Sequence, residues 1–380
     1  MTEIREAHLP ACGRVHWQGM ALRRKMDAVS ELDYTKLRVR APGWKRKRSI
    51  LSVSDVYVLG SASAFGSRVV PSEDVDHAFG MPAGKLKSRA GITSFAHVSE
   101  DEDEGTLGAQ ACQQALKNTG EKTEHLDWLI ASSETHHAYP SLSAILHGKL
   151  KLREECNALD VGSGCLALLQ ALAVAQALLV SGRARKILVA TADVHSRTLG
   201  PGRAAGEFGG LFGDGATAFL LASKLRDKAS LAYRLGEFFF GCASKYAEAI
   251  SISDAGGGRL DVQFNGDALS RAAVGRMGKV IDEVEERSGI PRERVGAFAT
   301  HQPNPRLVAL LAKQLGVSLK HFPPIGSTRG NLGSSMCGAA LDAALRHAAT
   351  QPAEQRQPVF LASLGPGLLF GGGWMVPVRG

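Results

Sequence analysis

Three polar residues, Cys165, His301 and Asn331, stand where the sequence passes from one predicted element to the next. Cys165 ends the run Asp-Val-Gly-Ser-Gly-Cys at 160–165 and directly precedes a long apolar stretch. His301 follows the strand-like run 295–300, and Asn331 lies in a glycine-rich turn. In α/β proteins, such junctions are where reactive side chains are exposed. The three residue types predict a thiol nucleophile assisted by an imidazole and a carboxamide.

The position of Cys165 predicts a reactive thiol. A helix N-terminus presents unpaired N–H groups and the positive end of the helix dipole, so a thiol placed there is expected to have a lowered pKa. Gly162 and Gly164 keep the approach to the sulfur free of side chains. Each residue alone also has a structural interpretation: an inert buried cysteine, a capping or core histidine, or a turn asparagine beside glycine. The combination of all three favours a catalytic set.

From about residue 53 onward, apolar runs predict an alternation of strands and helices. Short apolar runs predict strands at 56–59, 126–133, 186–192, 216–222 and 295–300. Helical periodicity predicts helices at 105–118, 141–150, 166–180 and 274–288. The acidic run 100–104 is typical of the N-terminal end of a helix, where negative charge interacts favourably with the helix dipole.

The composition describes a globular protein with a basic extension at its N-terminus. Of the 380 residues, 44% are hydrophobic and 22% charged, and no apolar run reaches the length of a membrane span. The formal net charge of +8 is concentrated in residues 1–50, which hold 12 Lys/Arg against 5 Asp/Glu. Because the basic run that ends this segment, Lys-Arg-Lys-Arg at 45–48, lacks interleaved aromatics and the remainder of the chain is near neutral, we expect a solvated arm and no nucleic-acid-binding function. Docking of the arm to an acidic protein or a polyanion is the alternative.

The cysteines and the first residues indicate a cytoplasmic protein. The six cysteines are scattered without Cys-x-x-Cys pairs, which argues against a disulfide framework and against a zinc site. The N-terminus carries Glu3, Arg5 and Glu6 and has no apolar segment of a secretory signal. We therefore expect a cytoplasmic protein with no metal and no membrane association.

A faint internal repeat relates the two halves of the chain. Gly120 and Gly289 each follow a predicted helix and precede a short polar link and a strand, and they lie 169 positions apart. Nearly the same spacing carries Cys165 to the turn that holds Asn331. The matching order of elements predicts a duplicated fold with the nucleophile and the asparagine at equivalent strand-to-helix corners.

From about residue 53 to the C-terminus, the chain resembles the thiolase superfamily, specifically β-ketoacyl-acyl carrier protein (ACP) synthase III. The resemblance rests on the order of five segments: 160–165, Phe-Gly-Asp-Gly-Ala at 212–216, His-Gln-Pro-Asn at 301–304, Gly-Asn at 330–331 and Phe-Gly-Gly-Gly at 370–373. It implies an α/β thiolase fold, with two pseudo-duplicated βαβαβαββ halves forming a five-layered αβαβα core. The implied halves are residues 51–228, with the cysteine, and 229–380, with the histidine and asparagine, after the extension 1–50.

The resemblance also implies a role for each matched residue. Cys165 would take an acyl group from a thioester, with the backbone N–H groups of Cys165 and Gly372 forming the oxyanion hole. His301 and Asn331 would hold the carbonyl of a malonyl-type thioester while carbon dioxide leaves and the enolate attacks the acyl-cysteine. Matched substrate-binding positions are Arg89, Tyr139, Asn265 or Asp267, Asn304 and Phe370, and matched carrier-protein docking positions are Arg271, Arg306 and Lys313.

The implied partners are an acyl carrier protein, an acyl-CoA or both, and a second copy of the chain in a homodimer. No cofactor is implied. In this family the residue matching Tyr139 crosses the dimer interface and limits the acyl pocket. Lys85 stands where the family has an aromatic residue against the CoA adenine, which favours an ACP donor. This departure, the Gly162-Ser163 pair and the N-terminal extension suggest a specialised enzyme of fatty-acid-derived or polyketide biosynthesis.

Four other functions fit part of the pattern. The enzyme could pass its acyl group to an oxygen or nitrogen nucleophile, or condense without decarboxylation by using Glu134, since a glutamate in this region is the general base of HMG-CoA synthase. A papain-like protease is a third alternative, but the chain has no Cys-Gly-Ser-Cys-Trp element. A non-catalytic partner subunit of a heterodimeric synthase is the fourth, and the intact Cys–His–Asn set argues against it.

Overall fold

The computed structural model describes residues 55–225, 232–244, 250–264 and 266–378, which belong to one compact unit. The extension 1–50 and the predicted boundary between the halves at 228/229 lie outside the described residues. Asn265 and the side chains of Asp267 and Arg271 also lie outside them.

Strands and helices alternate along the chain, as the apolar runs predict. The strands are β1 (Tyr57–Phe65), β2 (Arg68–Pro71), β3 (Ser94–His97), β4 (Trp128–Ser132), β5 (Asn157–Asp160), β6 (Lys186–Val194), β7 (Asp214–Ala222), β8 (Tyr233–Leu235), β9 (Phe239–Cys242), β10 (Ile250–Gly256), β11 (Arg259–Phe264), β12 (Ala297–Thr300), β13 (Val359–Gly365) and β14 (Leu369–Pro377). The helices are α1 (Ser72–Ala78), α2 (Lys85–Ala90), α3 (Glu104–Thr119), α4 (Leu142–Lys149), α5 (Ala167–Val180), α6 (His195–Thr198), α7 (Gly206–Gly209), α8 (Gly266–Ser288), α9 (Pro305–Leu315), α10 (Gly326–Arg329) and α11 (Met336–Ala349).

The main sheet joins strands from both halves of the chain. The described strands follow the order β12-β13-β14-β8-β1-β7-β6-β4-β5, and β9 also pairs with β14. The pairs β4–β5, β4–β6 and β12–β13 are parallel, whereas β6–β7, β1–β7 and β13–β14 are antiparallel. The two halves meet where β1 pairs with β8, at Tyr57 opposite Arg234.

Helices α5 and α11 form the central layer of the molecule. Their apolar side chains share one core cluster with Ile130 of β4 and with Ala299 and Leu361 of the second half. Helices α3 and α4 cover the outer face of the first half, and α8 with α9 covers that of the second. Because each fully buried leucine stabilises the folded state by about 1.5–3 kcal/mol, the leucine-rich helix α5 is a major part of this core. The predicted five-layered α/β arrangement is confirmed.

The helix ends follow the local sequence signals. Asp103 caps α3 by accepting a hydrogen bond from the Thr106 N–H at 2.6 Å, so the acidic run 100–104 does supply a helix N-terminus. Gly120 and Gly289 follow α3 and α8 in the left-handed conformation, with φ of 61° and 66°. Helices α5 and α11 begin and end 169 positions apart, the same spacing as these two glycines. Within the described residues, we find no helix of the length and apolarity needed to span a membrane.

Candidate active site

The turn before α5 presents Cys165 at the entrance to the helix. Strand β5 is followed by a single 3-10 turn, Gly164–Leu166, which leads directly into α5. Gly164 has a φ of 57°, and a Cβ there would lie 2.9 Å from Cδ of Pro366, so only glycine fits. The Ser363 hydroxyl donates a hydrogen bond to the Cys165 carbonyl at 2.6 Å, which fixes this turn to the end of β13.

His301 leaves the end of β12 as a buried, neutral imidazole. Its backbone N–H donates to the Ala362 carbonyl at 3.0 Å, continuing the β12–β13 pairing by one residue. The ring is buried, and its Nδ1 has no hydrogen-bond partner in the structure. Burial lowers the pKa of His301 to about 4, so the imidazole is uncharged at neutral pH. A neutral imidazole can donate one N–H to a substrate carbonyl without carrying charge into the site.

Asn331 is held by hydrogen bonds to a neighbouring loop. Its N–H donates to the Leu211 carbonyl at 2.8 Å, and its own carbonyl accepts from the Gly213 N–H at 2.9 Å. The side-chain oxygen accepts from the Gly333 N–H at 3.1 Å. The carboxamide oxygen is therefore occupied within the turn, and the NH2 group is left as a donor.

Cys165, His301 and Asn331 line one cavity of about 360 Å³. Most of the remaining wall is apolar and comes from α8, α9, the end of β13 and the segment that follows it, with Met277, Val274, Leu307, Val308, Leu311, Leu364 and Leu368 among its residues. The structure thus brings together the three residues that the sequence singled out. An apolar chamber around a thiol, an imidazole and an amide suits an acyl chain with a reactive carbonyl at its end.

The Cys165 thiol is not acidified, contrary to the prediction from its place at a helix N-terminus. Burial raises the pKa of Cys165 well above its ordinary value, and the negative charge of Glu134 raises it further. The helix N-terminus does not outweigh these two effects, because the thiol lies in an apolar cavity beside a carboxylate. The resting group is therefore the neutral thiol.

A second polar group, Glu134 with His195, adjoins the thiol. Oε2 of Glu134 lies 3.4 Å from Nε2 of His195, and both residues line the same cavity as Cys165. Burial alone would raise the pKa of Glu134, but the hydrogen bond and charge of His195 hold it below its ordinary value. Burial alone would lower the pKa of His195, but Glu134 and Asp193 raise it. The two groups therefore form a buried carboxylate–imidazolium pair.

Asp193 supports this pair through hydrogen bonds to the backbone of Glu134 and to the turn after Asn331. Its Oδ1 accepts the Glu134 N–H at 2.6 Å, and its Oδ2 accepts the Ser334 hydroxyl at 2.6 Å and the Ser335 N–H at 3.2 Å. Burial raises the pKa of Asp193 to about 6, with the charge of His195 opposing the shift and that of Glu134 adding to it. Asp193 thus ties the loop of Glu134 to the turn that follows Asn331.

Sequence reasoning missed His195, although a signal for it exists. His195 directly follows β6, and Glu134 lies two residues past the end of β4. These strands are parallel neighbours, with Ser132 opposite Thr191. The carboxyl ends of adjacent parallel strands meet at one edge of the sheet, which is where α/β proteins place their sites.

The structure does not bring Gly372 or Phe370 to the cysteine. Gly372 lies inside β14, opposite Ala362 on one side and Phe239 on the other, and neither Gly372 nor Phe370 lines the cavity. The residues that adjoin Cys165 are the earlier turn Gly365-Pro366-Gly367. Two glycine-rich segments lie close together in the sequence, at 365–367 and 371–373. The prediction of an oxyanion-hole donor from the second segment was wrong, because that segment belongs to strand β14. Pro366 has no N–H, so the Gly367 N–H becomes the candidate second donor of the oxyanion hole.

The other predicted substrate and docking residues lie mostly on the surface. Asn304 lines the cavity, but its side-chain oxygen caps α9 by accepting from the Leu307 N–H at 3.0 Å. Tyr139 is 98% exposed and does not line the cavity of its own subunit. Three basic residues are exposed: Arg89 on α2, and Arg306 and Lys313 on α9.

Lys85, where the family has an aromatic residue, pairs with Glu207 at 2.7 Å.

Among the residues that the structure describes, no group of three His, Cys, Asp or Glu side chains is arranged to hold a metal ion.

The raised pKa of Cys165 reverses the expected order of thiol labelling. At neutral pH we expect iodoacetamide to modify Cys242 before Cys165, because Cys242 is exposed whereas Cys165 lies in the cavity as a neutral thiol. Peptide mapping after brief exposure would measure the order. The buried Cys112 serves as an internal control and should remain unmodified. Labelling of Cys165 ahead of Cys242 would show that the thiol is acidified after all.

The family models and the curated relatives that match this chain all name the same enzyme family. Residues 159–237 match the family model for 3-oxoacyl-[acyl-carrier-protein (ACP)] synthase III, and residues 285–376 match the model for the C-terminal part of the same synthase. The β-ketoacyl-[acyl-carrier-protein] synthase III of Actinobacillus pleuropneumoniae is 26% identical over 319 residues, covering 83% of this chain and 96% of the relative.

Two solved structures show the same fold. Xanthomonas campestris OleA, determined with bound lauric acid and lauroyl-CoA, has a TM-score of 0.75 at 20% identity and covers 85% of this chain and 99% of its own. The priming β-ketosynthase of the R1128 polyketide pathway has a TM-score of 0.74 at 24% identity and covers 84% and 96%. The resemblance inferred from the sequence motifs is confirmed. The chain is a ketosynthase III-like member of the thiolase superfamily, an acyltransferase-class enzyme that condenses acyl thioesters.

Proposed function

We propose that the enzyme moves an acyl group from a thioester to Cys165 and then joins it to the enolate of a malonyl-type thioester, with loss of carbon dioxide. The observation that carries this proposal is the meeting of Cys165, His301 and Asn331 around one largely apolar cavity. A nucleophile and two neutral hydrogen-bond donors are the groups that a decarboxylative Claisen condensation needs.

In the first half-reaction, the sulfur of Cys165 attacks the carbonyl of the donor thioester. The backbone N–H groups of Cys165 and Gly367 are the proposed donors to the tetrahedral oxyanion. The donor thiol then leaves, and the acyl group remains on the cysteine inside the apolar chamber. One oxyanion-hole donor is typically worth about 2.7–4 kcal/mol of barrier, so the position of the turn 365–367 matters for the rate.

In the second half-reaction, His301 and Asn331 hold the thioester carbonyl of the extender. The neutral imidazole and the NH2 of the carboxamide donate to that oxygen, which becomes negative as carbon dioxide departs. The resulting enolate attacks the acyl-cysteine and forms the carbon–carbon bond. Neutral donors suit this step because they stabilise the developing charge without protonating the enolate carbon.

The acyl donor we propose is a carrier-protein or CoA thioester, used in specialised fatty-acid-derived or polyketide biosynthesis. Arg306 and Lys313 on α9, with Arg89 on the adjacent α2, give an exposed basic surface near the cavity that suits an acidic carrier protein. A cytoplasmic location is part of the proposal, and it fits the free state of the described cysteines.

Glu134 favours a second candidate, condensation without decarboxylation. Its carboxylate lies beside Cys165 and is held ionised by His195. A carboxylate there could remove a proton from the α-carbon of an acyl thioester, so that the enolate forms without loss of carbon dioxide.

Two measurements separate these reactions. Intact-protein mass spectrometry with a panel of acyl-CoA donors from acetyl to lauroyl, and with the corresponding acyl-ACPs, should show one acyl group on Cys165. Adding malonyl-ACP to the acylated protein should then release one carbon dioxide per condensed product. Condensation without carbon dioxide release would support the Glu134 candidate. Acyl transfer to an alcohol or amine without a new carbon–carbon bond would identify a heteroatom acyltransferase.

We also propose that the enzyme is a homodimer in which Tyr139 reaches the partner subunit. Tyr139 is 98% exposed, and β5 lies at the edge of the described sheet with Asn157, Ala158 and Asp160 exposed. An exposed aromatic residue and an unpaired strand edge, both close to Cys165 in the chain, fit a second copy bound across a twofold axis.

Tyr139→Ala is expected to shift the preference of the enzyme toward longer or branched acyl donors. The reason is that the proposed dimer uses this ring to close the acyl tunnel of the partner. The acyl-CoA panel measures the preference, and analytical ultracentrifugation measures the assembly. Leu319→Ala removes a half-exposed apolar side chain elsewhere on the surface and is the control, with no expected change. A monomer at micromolar concentration, or an unchanged preference in Tyr139→Ala, would contradict this arrangement.

A further inference from the structure

Glu134 lies between Cys165 and His195. One carboxylate oxygen, Oε2, is occupied by Nε2 of His195 at 3.4 Å. The other, Oε1, is buried and is the oxygen that lies close to the Gly164–Cys165 turn, 3.7 Å from where a Cβ on Gly164 would be. Oε1 has no hydrogen-bond partner in the structure, and Glu134 and Cys165 line the same cavity. The carboxylate of Glu134 therefore has one oxygen paired with the imidazole of His195 and the other left unpartnered beside the Cys165 turn.

The thiol needs a proton acceptor, because the helix N-terminus does not ionise it. Burial and the charge of Glu134 keep Cys165 protonated at neutral pH. A thiol attacks a thioester as the thiolate, so its proton must leave as the carbon–sulfur bond forms. Glu134 meets this need, because His195 holds it in the ionised form and its buried Oε1, on the side of the Gly164–Cys165 turn, has no hydrogen-bond partner.

Given the acylation half-reaction proposed above, we propose that Glu134 accepts the proton of the Cys165 thiol during acylation and that His195 is the positioning residue that aims the carboxylate. The Sγ–H bond breaks and its proton moves to Oε1, while the sulfur forms a bond to the thioester carbonyl carbon. When the tetrahedral intermediate collapses, the bond from that carbon to the donor sulfur breaks. The departing thiolate takes the proton from Glu134, so donor thiol is released and the carboxylate is restored.

The packing around His195 explains how it can hold this position. Its ring stacks on Phe212 with centroids 4.5 Å apart, and the turn at Gly333 presses against its edge. Asp193 fixes the Glu134 backbone at 2.6 Å, so the carboxylate is held from both ends. The charged groups that face His195 are Glu134, Asp193 and Asp214. Those that face Glu134 are His195 and Asp193, with the neutral Cys165 thiol and His301 nearby.

This inference divides the reaction between two sets of residues. Glu134 and His195 serve the acylation of Cys165, whereas His301 and Asn331 serve the condensation. Because the departing thiol carries the proton away, the carboxylate is ready for the next turnover before the extender binds.

Single-turnover acylation, followed by mass spectrometry without any extender, tests the inference. The probe is the acyl-CoA from the acetyl-to-lauroyl panel that loads the unaltered protein fastest. We expect Glu134→Gln to lower the acylation rate constant about 100-fold, the usual contribution of a positioned general base. The rate in the unaltered protein should fall as the pH drops and Glu134 becomes protonated. This fall is the acid limb of the pH–rate profile, and Glu134→Gln should lose it.

His195→Gln should keep a neutral donor to Glu134 but remove the positive charge. Without that charge the pKa of Glu134 rises, so the acid limb should move to higher pH and the rate should fall by less than in Glu134→Gln. If His195 had only a structural role, its replacement would leave the acid limb of the pH–rate profile at the same pH. His125→Gln is the matched control, because His125 pairs with Glu121 at 2.6 Å on the surface at the other end of β4. It should acylate at the unaltered rate.

The possible outcomes distinguish this inference from the proposed function. No acylation of the unaltered protein by any donor, CoA- or ACP-linked, would overturn the proposed function itself. Normal acylation in Glu134→Gln would overturn only the role of Glu134, and an unmoved acid limb in His195→Gln would overturn that of His195. If Glu134→Gln does not fold, Glu134→Asp replaces it. The shorter carboxylate should retain the acid limb at a reduced rate, and an unreduced rate would overturn the inference.

Discussion

Replacing Cys165 with alanine is expected to abolish covalent acylation completely, whereas His301→Ala and Asn331→Ala should still load an acyl group. The reason is geometric. Cys165 supplies the sulfur that forms the bond, and its proposed proton acceptor is Glu134, so neither His301 nor Asn331 is needed for this step. Their loss should instead lower the rate of carbon–carbon bond formation by about 10²–10³, since each removes one donor to the enolate oxygen.

The measurement is paired for each variant: acyl-enzyme mass after a single turnover, and product formation with malonyl-ACP. Gln302→Ala provides a matched control for His301→Ala, because its side chain bonds to the Pro323 carbonyl at 2.9 Å and does not line the cavity. Equal loss of self-acylation in Cys165→Ala, His301→Ala and Asn331→Ala would mean that His301 activates the thiol directly, and the division of roles would have to be redrawn.

Gly333→Ala is expected to destabilise the protein by about 2–5 kcal/mol and to disturb the active site at the same time. Gly333 has a φ of 55°, which costs about 1–2 kcal/mol for a residue with a Cβ. The added carbon would also collide with the imidazole of His195 and come within 3.0 Å of Oε2 of Glu134. Overpacking of this kind typically costs about 1–3 kcal/mol. Urea unfolding followed by circular dichroism measures the loss, and single-turnover acylation measures the disturbance.

Gly289→Ala separates the two contributions to this loss. Gly289 has nearly the same φ, 66°, but a Cβ there would meet nothing within 4 Å. This control should lose only the conformational part, about 1–2 kcal/mol, and acylate normally. Equal destabilisation of the two variants would show that the site absorbs the added carbon without strain.

The sequence predicted that Cys165, His301 and Asn331 belong to one site because the elements beside Cys165 and His301 have strong apolar patterns. The strand before His301 and the helix after Cys165 are buried, so their ends could be located from periodicity alone. The glycine spacing of 169 positions likewise predicted the duplication, because left-handed helix ends demand glycine whatever packs around them. These features depend on local chemistry, and for that reason the sequence contains them.

The missed features depend on contacts between distant segments. The thiol pKa could not be predicted from a helix N-terminus, because the opposing effects come from burial in the cavity and from Glu134, 31 positions earlier. The role of Gly372 was misjudged because two glycine-rich pieces lie close together, and only the strand pairing shows which one turns toward Cys165. His195 stood in an ordinary strand-end context, and its partner became evident only from the pairing of β4 with β6.

The corners at Gly164 and Gly333 occupy equivalent positions in the two halves but carry different polar residues. Both glycines adopt the same left-handed turn, with φ of 57° and 55°, and 169 positions separate them. At the position that matches Cys165, the second corner carries Ser334, whose hydroxyl is already bound to Asp193 at 2.6 Å. A thiol at position 334 would lose this hydroxyl contact to Asp193, whose other oxygen holds the Glu134 backbone. The first corner therefore carries the reactive thiol, whereas the second corner, through Ser334 and Asp193, holds the Glu134 loop against that thiol.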